Sequence, residues 1–135
     1  DMVKPGNHIM QPQEISEKVI TEGLVKLGLL DGDPEELHKS GAYKEFYMHK
    51  IGHWLGLDVH DAGDYVEGEE YMKFKPGMIT TIEPGIYISS SMDVDDKWKG
   101  IGIRIEDDIL VTKDGNENLT KKVPSDPEEI ESLMS

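Results

Sequence analysis

The chain has 135 residues, the size of one domain, with 36% hydrophobic and 31% charged residues and a formal net charge of −14 from 14 basic and 28 acidic side chains. A surface this acidic repels nucleic acid and anionic membranes. The absence of cysteine removes disulfides, thiolate metal sites and cysteine nucleophiles, so any metal must use His, Asp and Glu.

The acidity itself reads two ways: a solvated surface, or one in which some carboxylates turn inward to hold cations. No apolar run approaches the roughly 18 to 20 residues that span a bilayer. The start, DMVKPGNHIM, has no apolar signal core. It also lacks an initiator methionine, which gives the expectation of a piece cut from a longer chain.

Residues 11–30, QPQEISEKVITEGLVKLGLL, predict an amphipathic helix. Pro12 suits its first turn, and Ile15, Val19, Leu24 and Leu27 fall near one face. Gly28 is the expected stop, although Leu29 and Leu30 continue the apolar run. GDPEELHKS predicts a second helix with Asp33 as N-cap and Glu35 and Glu36 facing its positive end.

From Phe46 onward the pattern is strand and turn. HKIGHWLGLDVHD, residues 49–61, holds three of the five histidines. His49 and His53, four apart, have the spacing of a zinc-peptidase helix, but Lys50 stands where that helix needs its glutamate base. Gly52 and Gly56 would each cost a helix about 1 kcal/mol. In a strand His49 and His53 share a face, and His60 joins them only if the chain bends at Gly56. A lone histidine is usually structural; three beside Asp58 and Asp61 point to metal binding or proton transfer as much as to packing.

KFKPGMITTIEPGIYI places a β-rich run between two Pro-Gly breaks, with Glu83 in its apolar part. That glutamate is either an edge-strand residue before a turn, or paired or metal-bound. GIGIRIEDDILVT predicts one strand with Ile101, Ile103 and Ile105 on one face and Gly102, Arg104 and Glu106 on the other. Arg104 and Glu106 read as a weak exposed ion pair, or else Glu106 joins His53 and Glu83 as the one His and two Glu that an oxygen-rich divalent-cation site needs. KDGNEN predicts the turn that ends this strand, and SDPEEIESLM, which repeats the Asp-Pro-Glu-Glu helix start at Asp126, a closing helix. The expected class is α+β: helices, then an antiparallel sheet, then a helix.

Taken together and in order, HKIGHWLGLDVHD, MITTIEPGIYI and GIGIRIEDDILVT resemble the C-terminal half of the catalytic domain of Xaa-Pro aminopeptidases (aminopeptidase P). These belong with prolidase and methionine aminopeptidase to the pita-bread metallopeptidases. The resemblance runs from the first helix to PEEIESLM, and HWLGLDVHD with GIGIRIEDD favours the bacterial type. It implies the C-terminal half of a pita-bread (creatinase/aminopeptidase-like) fold. Residues 1–135 are then one part of the catalytic domain, without its first part and without the N-terminal domain.

The resemblance further implies two adjacent divalent metals, manganese in this branch with cobalt or zinc as alternatives, held by two aspartates, one histidine and two glutamates. On it, His53 is the histidine ligand, Glu83 a ligand beside the nucleophilic water and Glu106 the bridging glutamate. His60 would contact the substrate and assist the tetrahedral intermediate, His49 would line the proline-side pocket, and Tyr87 and Arg104 would orient carboxylates. The aspartate ligands lie upstream of the first helix in the family; Asp1, Asp31, Asp33, Asp58, Asp61 and Asp64 do not match them, so the chain carries three of the five.

The expected activity is hydrolysis of the bond between an N-terminal residue and a following proline. The parent enzyme would be cytoplasmic and homo-oligomeric, with peptides as substrates and no nucleic-acid or membrane partner. The 135-residue chain by itself would be inactive and metal-free or weakly metal-bound. The alternatives are an Xaa-Pro dipeptidase, a non-catalytic peptide-binding module, and a half-domain that self-associates without chemistry.

Overall fold

A computed structural model describes residues 1–135. Helix α1 spans Gln11–Lys26 with proline in its first turn. It ends before the apolar run does, because Gly28 takes φ +72°. There Leu29 N–H donates to Leu24 O at 2.9 Å and Gly28 N–H to Val25 O at 3.0 Å, the crossed pair of bonds that closes a helix on a left-handed glycine. Leu29 is thereby folded back into the core.

The buried residues of α1 are Pro12, Gln13, Ile20, Thr21 and Leu24, so of the predicted stripe only Leu24 is buried. Ile15, Val19 and Leu27 are 44%, 63% and 47% exposed. The polar members of the buried face are tolerated because each is hydrogen-bonded: Thr21 Oγ1 donates to Glu17 O at 2.6 Å, and the Gln13 amide has partners on both sides. The displaced apolar residues Ile15 and Val19 instead line a shallow open groove with Val3, Ile82 and Pro84.

Helix α2, Pro34–Ser40, is capped as predicted, with the Asp33 carboxylate accepting from Glu36 N–H at 3.1 Å. A 3-10 turn at Ala42–Glu45 then delivers Tyr43, Phe46 and Tyr47 to a core built on Ile20, Leu24, Leu29, Ile51 and Ile88. A second core gathers Val3, Ile9, Trp54, Phe74 and Val111.

The strands are β1 (Val66–Glu67), β2 (Glu70–Tyr71), β3 (Ile79–Ile82), β4 (Gly85–Tyr87), β5 (Gly102–Arg104), β6 (Asp107–Val111) and β7 (Asn116–Asn118). All pairings are antiparallel, but they form three small sheets, β1–β2, β3–β6–β7 and β4–β5, rather than one. The single strand expected over GIGIRIEDDILVT is two strands, β5 and β6, in different sheets. Its register nevertheless runs straight through. Ile82 faces Asp107 and Gly85 faces Arg104, so the intervening Glu83 and Pro84 lie opposite Glu106 and Ile105. Pro84 has no N–H to give, and only Ile105 N–H to Pro84 O, at 3.3 Å, crosses the gap.

The isoleucines do share one face, yet Ile103 and Ile105 stay 58% and 49% exposed, lining an apolar groove with Leu27 and Trp98. Within KDGNEN only the first half is turn, closed by Thr112 N–H to Gly115 O at 3.0 Å; Asn116–Asn118 return as β7. Helix α3, Pro127–Met134, starts on the Asp126 cap as predicted and buries none of its residues.

Tyr43 and Tyr47 both titrate above the ordinary tyrosine range. Burial is the main cause in each, and the Glu17 carboxylate reinforces it at Tyr43, whose pKa is pushed from 10.0 up to about 12. A raised folded-state pKa means the neutral form holds the fold. That contribution is complete below pH 10 and is lost as the pH rises towards 12. Urea melts taken at rising alkaline pH should show stability falling in this window, and Tyr43→Phe should flatten the fall.

Candidate metal centre

The histidine segment is neither helix nor regular strand. Residues 51–55 lie against β3 through Glu83 N–H to Ile51 O at 2.7 Å, Thr81 N–H to His53 O at 3.0 Å and Leu55 N–H to Ile79 O at 3.1 Å. Gly52 permits this approach: a Cβ there would sit 1.9 Å from the Thr81 carbonyl oxygen. The side chain of Thr81 fills the remaining backbone need. Its hydroxyl accepts from His53 N–H at 3.0 Å and donates to Glu83 Oε1 at 2.9 Å, so one buried group ties the histidine to the glutamate.

His53 Nδ1 lies 3.0 Å from Trp54 O. A carbonyl only accepts, so Nδ1 carries the proton and Nε2 is left with its lone pair. That Nε2 is 3.3 Å from Glu83 Oε1. Ligand atoms of His53, Glu83 and Glu106 all lie within 4.8 Å of one another. One imidazole with a free lone pair and two carboxylates form a donor set suited to a divalent transition metal, and this arrangement fits one.

Glu83 is only 7% exposed, which excludes the reading of an edge-strand glutamate. Its charge is met by Arg104 Nη1 at 3.2 Å from Oε2 and by the Thr81 hydroxyl, while the His53 Nε2 lone pair faces Oε1 without pairing it. Arg104 therefore pairs with Glu83 rather than with Glu106, two residues along its own chain. Arg104 Nε also donates to the Tyr87 hydroxyl at 2.7 Å. That bond first, and the carboxylates of Glu83 and Glu106 after it, raise the guanidinium pKa further. The Tyr87 hydroxyl in turn lies 3.0 Å from His49 Nε2.

His60 reaches the group by a bend. Gly56 N–H donates to Asp58 O at 3.2 Å and Asp61 N–H to Trp54 O at 3.1 Å, and a Cβ on Gly56 would strike the Asp61 carboxylate at 1.8 Å. The His60 ring ends edge-on to the His53 ring, centroids 4.3 Å apart. His49, His53, His60, Glu83 and Arg104 line one cleft of about 670 Å³, together with an aromatic wall of Tyr65, Tyr71 and Phe74.

All seven residues singled out from the sequence thus lie in or against one cleft, and none of the chain's aspartates joins the ligand group. Sequence reasoning missed Thr81, Gly52 and the aromatic wall. The one available signal was the pair Thr80-Thr81, polar groups inside a β-rich run that must find partners when buried.

A family model described as metallopeptidase family M24 matches residues 1–113. The chain is 48% identical to the Xaa-Pro aminopeptidase of Haemophilus influenzae over 135 residues, which is 100% of this chain and 31% of that protein. The solved aminopeptidase PepP of Pseudomonas aeruginosa superposes with a TM-score of 0.96 at 54% identity, covering 99% of this chain and 30% of that one. A zinc-substituted Escherichia coli aminopeptidase P in complex with product gives a TM-score of 0.91 at 48% identity, covering 98% and 30%. The chain spans about 30% of the length of the curated relatives it matches.

Thr81→Val keeps the volume and removes both hydroxyl bonds, leaving the His53 N–H without its partner. The expected loss is about 1 to 3 kcal/mol of stability, read from urea unfolding. A loss no larger than that of a surface substitution would show that Thr81 does not tie His53 to Glu83.

Proposed function

The chain belongs to metallopeptidase family M24, and on that premise we propose that it is the C-terminal part of the catalytic domain of a bacterial Xaa-Pro aminopeptidase. The observation that carries this reading is the meeting of His53, Glu83 and Glu106 within 4.8 Å at a cleft that Arg104, His49 and His60 also line. Its α+β architecture is that of the pita-bread enzymes over 98–99% of its residues. Residues 1–135 form one such part, and the substrate is a peptide with proline at its second position.

His53 through Nε2, Glu83 and Glu106 would hold the metal, which when bound lowers the pKa of a water and polarises the scissile carbonyl. Glu83 then has two duties. It would be a ligand, and as a carboxylate beside the attacking water it would accept that water's proton and return it to the leaving prolyl nitrogen. Arg104 and Thr81 keep its oxygens aimed while it does so. His60, exposed at the cleft and edge-on to His53, would donate to the developing oxyanion, a role that its nearness to the ligand group supports. His49 borders the proline side with its Nε2 towards Tyr87. Manganese is the metal we favour, on the resemblance, with zinc or cobalt acceptable to the same ligands. The cytoplasmic location and the homo-oligomeric parent rest on the resemblance alone.

An Xaa-Pro dipeptidase is the alternative reading within the family and would differ mainly in demanding a free carboxylate on a dipeptide. A non-catalytic peptide-binding module has no use for a buried glutamate aligned on a histidine lone pair, and the Glu83–His53 geometry therefore favours the enzyme.

Three ligands suffice for one metal, not for two held close together. Titration calorimetry of the 135-residue chain with Mn²⁺, Co²⁺ or Zn²⁺ should show weak binding of a single ion, with X-Pro peptide cleavage absent or nearly so. Two tightly bound ions per chain, or turnover of about 1 to 10³ per second, would overturn the three-ligand account. The carboxamide variant Glu83→Gln should abolish whatever binding is measured.

A further inference from the structure

Gln13 lies on the first turn of α1, far from any metal ligand in sequence, and is 5% exposed. Its Oε1 accepts from Ile51 N–H at 2.5 Å, and its Nε2 donates to Glu17 Oε1 at 2.9 Å. These partners fix the orientation of the amide, because a backbone N–H only donates and a carboxylate only accepts. Ile51 N–H belongs to the same rigid peptide plane as the Lys50 carbonyl. That carbonyl faces His49 Nδ1 at 2.7 Å, so Nδ1 carries the proton of this ring. On the other side of the ring, His49 Nε2 accepts from the Tyr87 hydroxyl at 3.0 Å, and the Tyr87 oxygen accepts from Arg104 Nε at 2.7 Å.

The result is one oriented series. Arg104 donates to Tyr87, Tyr87 to His49, His49 to the Lys50–Ile51 peptide, that peptide to Gln13, and Gln13 to Glu17. Every donor points the same way, from a cation beside the cleft to an anion on α1. Bonds aligned in this sense polarise one another. Reversal at any member would set two donors or two acceptors face to face.

We propose that Gln13 is a positioning residue for His49: by holding the Lys50–Ile51 peptide plane it fixes the Nδ1–H form of the His49 ring and keeps Nε2 as the acceptor of Tyr87. The consequence for substrate rests on the reading of His49 as a proline-side histidine, but the hydrogen-bond series does not. Gln13 never touches substrate or metal in this account. It acts through one peptide plane, 38 residues away in sequence.

The test is the long-range ¹⁵N–¹H spectrum of the five imidazoles in the metal-free 135-residue chain, at a pH of about 8 where histidine is neutral. In the unsubstituted protein His49 should show the pure Nδ1–H pattern. Gln13→Leu removes the acceptor, and Gln13→Glu sets a second carboxylate against Glu17; in each, His49 should become a mixture of tautomers. The double variant Gln13→Glu, Glu17→Gln exchanges the two side chains: the new carboxylate accepts from both Ile51 N–H and the new amide, and the pure pattern should return. His8, outside the series, should be unchanged throughout. Retention of the pure pattern in Gln13→Leu, or its failure to return in the exchanged variant, overturns the proposal. If Gln13→Leu does not fold, the exchanged variant decides, and its own failure to fold counts against the proposal. Because the spectra are taken without metal, a failed Mn²⁺ titration would remove the metal assignment and leave this result standing.

Discussion

Two carboxylates set face to face across a broken β ladder are the constraint on which this structure turns. The register of β3–β6 and β4–β5 puts Glu83 directly opposite Glu106 at the one point where Pro84 interrupts the hydrogen bonding. Like charges in opposed positions destabilise a sheet. Burying one of them, as Glu83 is buried, adds a desolvation cost that only pairing can offset. The surroundings supply that pairing through the Arg104 guanidinium and the Thr81 hydroxyl, and the His53 lone pair and the nearby Glu106, both turned to the same point, make the place a natural seat for a cation. A divalent metal would relieve the same repulsion that the fold has created.

The two cores hold the sides of this arrangement. Trp54, next to His53, belongs to the core with Phe74 and Val111, while Ile51, two residues before it, belongs to the core with Ile20 and Leu24. The histidine segment is thus pinned at both ends by buried apolar side chains, each worth about 1.5 to 3 kcal/mol. Gly52 between them lets the backbone press onto β3. Rigidity of this kind matters for chemistry, because a ligand or proton donor displaced by about 1 Å loses much of its effect. The exposed apolar face of Ile103 and Ile105, beside Leu27, carries no such duty within this chain.

The histidines show how little sequence spacing says about role. His49 and His53, four apart, point to different neighbours: one to Tyr87, the other to Glu83. His53 and His60, seven apart, stand ring against ring because the chain turns back at Gly56. In each of His49 and His53 a backbone carbonyl holds Nδ1–H and frees Nε2, so local backbone, not the ring's sequence position, selects the atom that works.

Read alone, the sequence determined the α+β class, the Asp33 and Asp126 helix starts, the Gly28 stop and the residue types of the site, because caps, left-handed glycines and alternation are local effects that a few neighbouring residues settle. The family resemblance followed from three short motifs for the same reason. Three things only the tertiary structure decided. The buried face of α1 became Gln13, Ile20, Thr21 and Leu24 because partners distant in sequence satisfied its polar members, and no periodicity can announce that. GIGIRIEDDILVT became two strands because Pro84, on the facing segment, denied the ladder its bonds. Glu83 became a buried and paired carboxylate because Arg104 arrives from β5 to join the local Thr81 hydroxyl, and the energy of burying a charge is set by what meets it in space.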